Sequence, residues 1–368
     1  MQLSVTDVLS KKDVKVFHQI ARDLYKDDTH FISHIDQDID AIFNPKLNNA
    51  FEDGGAKRWI VYAGQTAVGK VAAFYRKDAQ QAGIGFFDSV DNLEVANLLF
   101  DTATNWLKSK GYNRVEAPVN FGERDKYWGL LVEGFKNPSY QENYNFPYYQ
   151  TLFEKYGFTR SIEQTTSEAR PESIDYDKYK RFSDRLVERS DLRAEHFKIK
   201  EMDRFVQDFT SIYNEAWSAH KDFMPMTEAR VSDLFAEMKP IIREDLLWFM
   251  YDGDRPVGFY LSLIDLNQLF RYLDGNMNWF GKLKFYYRYK TVKVNKIRGI
   301  IFGVIPEFQN KGVYSIMIMK MYEVMRADRY IQSTELSWIG DFNPKMHALF
   351  DSVKAEKVKV HFTYLKVF

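Results

Sequence analysis

Residues 300–315 read Ile300-Ile301-Phe302-Gly303-Val304-Ile305-Pro306-Glu307-Phe308-Gln309-Asn310-Lys311-Gly312-Val313-Tyr314-Ser315. An apolar run of strand length stops at Pro306, which has no N–H to continue a ladder. A short polar turn then opens into a helical pattern, with Ile316, Met319, Lys320 and Glu323 marking its turns. The amides of a first helical turn have no partners inside the helix, and the helix dipole makes that end positive. Gly312 lets a bulky anion approach the backbone and Lys311 adds a formal charge, so the junction has the elements of an anion site. An ordinary strand–helix turn with a solvated lysine accounts for the same residues equally well.

Outward from this junction the chain repeats itself. Trp59-x-x-Tyr62-x-Gly64-x-x-x-Val68-Gly69 recurs as Trp248-x-x-Tyr251-x-Gly253-x-x-x-Val257-Gly258, every identity at an offset of 189 residues. Each copy reads as a β-hairpin, 58–63 to 68–75 and 247–251 to 256–264, two apolar runs around a glycine-containing turn. A helical stripe precedes each hairpin, over about 11–25 and 202–217. Strand, helix, strand and helix follow: 83–88, 93–110, 114–117 and 148–156 in the first copy, and 298–305, 312–326, 333–338 and 344–351 in the second. The pattern predicts an α/β chain of two similar domains, 1–165 and 195–368, each a mixed, mostly antiparallel sheet flanked by helices. A charged linker, 166–194, with a bridging helix at about 177–189, joins them.

Composition narrows the chemistry. The 368 residues carry 51 Lys+Arg against 51 Asp+Glu, so the surface as a whole is not built to coat nucleic acid or anionic lipid. There is no cysteine, which excludes disulfides, a thiol nucleophile and thiolate metal sites. None of the seven histidines has metal-ligand spacing, and no metal is expected. His30 and His34 read as four apart on a helix, and Asp36, Asp38 and Asp40 as surface. The N-terminus lacks the basic and apolar regions of a signal peptide, and the longest apolar run is a strand's length, so a cytoplasmic protein without a membrane partner is expected.

Val304-x-Pro306-x-x-Gln309-x-x-Gly312 resembles motif A of the GNAT N-acetyltransferase superfamily, V-x-P-x-x-Q/R-x-x-G-x-G/A. The order of elements in both halves is similar to that fold. The resemblance implies two tandem GNAT-like domains, with the pyrophosphate of acetyl-CoA or another acyl-CoA on this loop. Its cofactor-binding set would be Val304, Ile305, Gln309, Asn310, Lys311, Gly312, Val313, Tyr314 and Ser315, with Asn343 opening a later helix near the pantetheine. Tyr314 stands where the family has Gly or Ala. The family's proton-donating tyrosine, seven residues after that asparagine, is replaced by Phe350; Tyr314, Tyr322 and Tyr364 are substitutes that sequence does not place. The corresponding junction of the first half, Phe86-Phe87-Asp88-Ser89-Val90-Asp91-Asn92-Leu93-Glu94, has no glycine, no base and three acids, so that half reads as a degenerate copy. The chain also resembles uncharacterised bacterial tandem-GNAT proteins in Asn214-Glu215-Ala216-Trp217, Asp265-Leu266-Asn267-Gln268 and Glu335-Leu336-Ser337-Trp338.

Aminolysis of a thioester needs a base for the incoming amine and donors near the oxyanion. Glu335, Glu215 and Tyr314 are the catalytic candidates, and Asn214, Trp217, Asn267, Gln268 and Trp338 the residues expected in the substrate cleft. The aromatic loop around Tyr144-Asn145-x-Pro147-Tyr148-Tyr149 reads as a packed interface between the halves. Residues 281–298 hold seven Lys/Arg and no acid among aromatics. That stretch fits a grip on RNA, a seat for the 3′-phosphate of CoA, or a solvated helix. The expectation is an acyl-CoA-dependent N-acyltransferase acting by direct transfer to a primary amine of a small molecule or peptide, with CoA on the C-terminal half. The alternatives are an aminoacyl-tRNA-dependent transferase of Fem type and a non-catalytic ligand-binding protein.

Overall fold

The computed structural model describes residues 2–124, 126–218 and 225–368. Its strands are β1 (Leu3–Asp7), β2 (Gly54–Ala63), β3 (Thr66–Arg76), β4 (Gln81–Ser89), β5 (Arg114–Ala117), β6 (Leu130–Glu133), β7 (Thr159–Ala169), β8 (Leu192–His196), β9 (Leu247–Asp252), β10 (Arg255–Ile264), β11 (Lys296–Val304), β12 (Ser333–Gly340) and β13 (Glu356–Val367). The helices are α1 (Lys11–Leu24), α2 (Asp36–Ile42), α3 (Leu93–Ser109), α4 (Tyr148–Tyr156), α5 (Tyr176–Glu188), α6 (Met202–Trp217), α7 (Glu228–Met238), α8 (Asn267–Phe270), α9 (Trp279–Thr291), α10 (Val313–Ala327) and α11 (Pro344–Ser352).

Local chemistry explains the ends of these elements. Ser10 and Asp13 form a reciprocal capping box that starts α1. Asn92 accepts from the amides of Glu94 and Val95 and starts α3. Gly64 and Gly253, both at positive φ, turn the two repeated hairpins, β2–β3 and β9–β10. The helical reading of His30 and His34 does not hold: Asp28 and Asn137 tie that stretch down as irregular chain. Asp36, Asp38 and Asp40 are engaged rather than bare surface. Asp36 pairs with Arg22, Asp38 accepts from Tyr140, and Asp40 lies 2.9 Å from His18 Nε2.

Among the described residues the thirteen strands form one sheet, in the order β1-β2-β3-β4-β5-β13-β7-β12-β11-β10-β9-β8, with β6 also on β13. The two halves exchange their last strands. β13, at the end of the chain, pairs with β5 of the first half, while β7 pairs with β12 of the second. β7 and β13 pair with each other along most of their length and form the seam. One apolar core lies between α3, α4 and the first-half strands and includes Tyr364 of β13. A second lies among α6, α7, α10 and β8–β11. Helix α5 lies against α10, where Tyr179 is buried beside Met319 and Val353.

Candidate functional site

β11 and β12 run parallel only from Lys296↔Ser333 to Gly299↔Leu336. Beyond that pair β11 stays with β10 as far as Val304, and β12 stays with β7. The two strands therefore splay, and a slot opens between them with its vertex at Gly299 and Leu336. Ser337 Oγ donates to the Gly299 carbonyl and closes the vertex. The register of β11 against β10 slips there, from Leu261↔Ile301 to Ser262↔Gly299. Ile300 is the extra residue of this bulge and has no partner on either neighbouring strand, so its backbone groups are released from the ladder.

At the wide end of β11 the chain turns through Pro306–Phe308 into α10. Gly312 caps that helix at φ 75, a left-handed conformation, and no side chain caps its first amides. A Cβ added to Gly312 would meet only Leu186 of α5, at 3.4 Å. This open helix end contrasts with α3, whose amides are taken by Asn92 with Asp91 and Glu94 alongside. Val304, Ile305 and Val313 are buried supports of the loop. Gln309 Nε2 donates to the Val304 carbonyl at 3.2 Å, and Ser315 Oγ donates to that of Gly312 at 2.7 Å. Asn310 is exposed. Lys311 is exposed as well, its ammonium 3.3 Å from Glu307 and 4.2 Å above the Phe308 ring. Tyr314 packs into the small core between α10 and α5. Asn343 caps α11 by accepting from the Met346 amide at 3.2 Å.

The remaining candidates divide by location. Trp217 stacks on Tyr213 and lies against Gly303, where an added Cβ would be 2.7 Å from its ring. Asn214 both donates to and accepts from the backbone of Met226. Glu215, on the surface, pairs with Arg255 at 3.0 Å, and Arg255 also holds Glu307. Glu335, Asn267, Gln268 and Trp338 gather elsewhere, at the junction of the halves. Asn267 Nδ2 donates to the Pro138 carbonyl at 2.8 Å, and Gln268 reaches Asn295 at 2.9 Å. Trp338, with Trp128, Arg298 and His361, lines a cavity of about 10 Å³.

Glu335 is fully buried and faces Lys359 at 3.0 Å, Lys296 at 3.4 Å and Arg298 at 3.9 Å, and it accepts from Ser139. Burial pushes its carboxyl up, but these cations and the hydrogen bond outweigh it and hold the group far below the usual carboxylate range. Lys359 also pairs with the buried Glu142. Tyr364 is buried in the core of the first half with its hydroxyl on Glu154, far in the fold from the β11–β12 slot.

Three hydroxyls escaped the sequence reading. Tyr260 of β10 lies beside the vertex: a Cβ on Gly299 would be 2.9 Å from its hydroxyl oxygen. That hydroxyl is directed at Ser262 and Thr334, both buried and without a hydrogen bond of standard geometry. Burial raises the Tyr260 phenol above its ordinary value, so it keeps its proton. The available signal was a serine in the middle of the apolar run 257–264. The first half has its own cavity, about 60 Å³, whose lining includes His18, His34, Lys70, Asp88 and Tyr149. Lys70 and Asp88 pair there at 3.2 Å.

The splayed strands and the uncapped glycine helix end sit in a chain that matches known structures over its whole length. A tandem GNAT protein from the clavulanic acid biosynthesis pathway superposes with a TM-score of 0.58 at 9% identity, over 100% of this chain and 98% of that one. A GCN5-related N-acetyltransferase from Sphaerobacter thermophilus gives 0.53 at 10% identity, over 99% and 95%. The chain has the tandem GNAT fold. No family model matches the sequence. Among curated proteins the chain is similar to Protein YghO of Escherichia coli strain K12, 24% identical over 98% of this chain and 95% of that protein. It is also 26% identical to the Bacterial ceramide synthase of Caulobacter vibrioides, over 99% of this chain and 97% of that protein. Among the described residues no His, Asp and Glu side chains gather as a metal site, and no helix is long and apolar enough to cross a membrane.

Proposed function

We propose that the chain is an N-acyltransferase that uses an acyl-CoA and acylates the primary amine of a long-chain amino alcohol. The observation that carries this is the β11–β12 slot opening beside the uncapped N-terminus of α10. Free amides, the helix dipole and a glycine cap are the equipment for a pyrophosphate, and the open space over Gly312 is consistent with one approaching the backbone. Val313, Tyr314 and Gly312 would present amides to it, with Lys311 adding charge. The amine class is suggested by the similarity to the ceramide synthase, since a ceramide is an N-acylated long-chain amino alcohol.

A thioester supplies an activated acyl carbon; the chain's residues hold and orient the reactants. In this reading the backbone released at Ile300 offers hydrogen bonding where charge develops on the acyl oxygen. Tyr260, protonated and at the vertex, takes the place of the missing tyrosine at Phe350 as proton donor. Glu335 holds the junction on which the slot is built, and Glu215 steadies the mouth through Arg255. The first half, with its α3 amides already capped, binds no CoA.

The test is a thermal shift and a calorimetric titration with acyl-CoAs of increasing chain length. Ligand linkage stabilises the folded protein, and Lys311→Ala weakens the effect. Absence of any shift at millimolar acyl-CoA, in both proteins, refutes the reading.

A further inference from the structure

Helix α9 has its polarity reversed. Trp279, Phe280, Leu283, Tyr286 and Tyr287 are 69%, 76%, 50%, 63% and 61% exposed. At about 100° per residue they fall in one stripe roughly 120° wide on the outer face. The inner face seats the helix: Phe285 packs on Phe270 at 5.5 Å, Asn278 caps the first turn, and Gly281 is buried against Asn276. The helix is therefore fixed, and its apolar outer stripe is left uncovered among the described residues.

Charge accompanies the stripe. Lys282, Lys284 and Lys290 are exposed, Arg288 lies 4.1 Å over Tyr272, and Lys293 lies 5.3 Å from the Tyr330 ring. Among the described residues none of these five has a carboxylate partner, whereas Lys296 and Arg298 turn inward to Glu335. An unneutralised basic cluster around exposed Trp, Phe, Leu and Tyr is complementary to a surface that is apolar just below an anionic layer.

The geometry points to α9 as a docking helix for an anionic phospholipid bilayer. Trp279, Phe280 and Leu283 insert at the headgroup–acyl boundary, and Lys282, Lys284 and Lys290 hold lipid phosphates. A second copy of the chain fits less well, because a two-fold contact through this stripe would bring its lysines against their own counterparts. A single-stranded nucleic acid is also disfavoured: the stripe is convex and includes a leucine, which offers no stacking face. The inference goes beyond the transferase reading and needs no activity to test. A bilayer-bound enzyme would meet a long-chain amine where such amines reside.

The experiment is flotation of the full chain with vesicles of phosphatidylcholine alone or with about one-third phosphatidylglycerol. Strong association with the anionic vesicles only, weakened by salt, is expected. Replacing Lys282, Lys284 and Lys290 by Gln should lower partition about a hundredfold, at roughly fivefold per charge. Trp279→Ser with Phe280→Ser and Leu283→Ser should lower it at least about tenfold. Phe280→Ser alone, at the most exposed site, serves if the triple variant melts early. Three results overturn the proposal: no preference for anionic vesicles, unchanged binding by the variants, or retention of RNA or self-association in place of vesicle binding. The acyl-CoA thermal shift, run in solution on the same variants, should be unchanged, so failure here is distinguishable from failure of the transferase reading.

Discussion

Replacing Glu335 by Gln removes one negative charge and almost no volume. The amide oxygen still accepts from Ser139, so packing and that hydrogen bond survive. Three cations lose their common anion. Lys359 keeps Glu142, Lys296 keeps Glu168 at 3.7 Å, and Arg298 keeps the Tyr140 carbonyl. Removing one member of a buried ion pair costs about 3–5 kcal/mol, because the partner charge stays buried. The continuous sheet supports unfolding of the chain as one unit. At roughly 2.1 cal/mol/K per residue over 368 residues, each kcal/mol is then worth about 1.3 °C. A fall in melting temperature of about 4–7 °C at neutral pH is expected, read by calorimetry. The pH dependence follows from the depressed carboxyl. Its stabilisation is fully present above the unfolded value of about 4.3 and is lost as pH falls from there towards the folded value. The gap between wild type and variant should therefore be constant near neutrality and close in acid. If the variant melts within about 1 °C of wild type while turnover collapses and its pH profile moves, the reasoning is refuted, and Glu335 is a working base rather than a buried counter-ion.

Gly312→Ala should lower the melting temperature by about 1–3 °C, since the left-handed cap costs a non-glycine residue roughly 1–2 kcal/mol; calorimetric titration should also show weakened acyl-CoA binding, and unaltered binding would count against the anion site at α10. Tyr260→Phe should slow turnover at least about tenfold while leaving acyl-CoA affinity intact; a change in affinity alone would argue for a packing role. Ending the chain before Glu356 removes the strand that pairs with both β5 and β7, and the product should be insoluble; a soluble truncated protein with a cooperative melt would contradict the exchanged topology. His34, half-buried and held down to about 3 chiefly by burial, with Lys70 and His18 adding to it, is neutral at pH 7. Protonation favours the unfolded chain below its ordinary value of about 6.5, so stability should fall by up to about 1.4 kcal/mol per pH unit in acid, and His34→Gln should flatten that slope in pH-dependent urea melts.

Both hairpins, the helices before them and the α10 junction were legible because their determinants are local: a glycine at positive φ, a proline that stops a strand, a helical stripe within a few turns. The bridging helix was legible too, but Tyr144, Tyr148 and Tyr149 of the aromatic loop pack in the core of the first half, and it is Tyr140, ahead of them, that crosses to Phe270 at 5.0 Å. The seam was not. β7 reads Thr159-Arg160-Ser161-Ile162-Glu163-Gln164-Thr165-Thr166-Ser167-Glu168-Ala169, a polar run without the alternation that marks a half-buried strand. Its polarity has a reason visible only in three dimensions. Gln164, Thr166, Ser167, Lys359, His361 and Thr363 are all buried along β7 and β13, where Thr363 donates to Gln164 and Lys359 pairs with Glu335.

The same non-locality decides what Glu335 is. Read along the chain, a carboxylate on a strand beside a slot has the attributes of a general base. What a carboxylate can do, however, depends on the charges that face it. Its nearest cation, Lys359, lies on the exchanged strand that packs between the halves rather than beside β12. Ser139, its hydrogen-bond donor, comes from a loop of the first half. No spacing rule links residues 139, 335 and 359; only the exchange of β7 and β13 brings them together. The hydroxyls of Tyr260, Ser262 and Thr334 present the converse case. They lie on β10 and β12, on either side of β11, and gain their interest because β11 parts from β12 beside them. A strand that leaves its neighbour thus creates a site from ordinary core residues, while a strand that crosses to the other half sets a buried cation, Lys359, against an apparent general base.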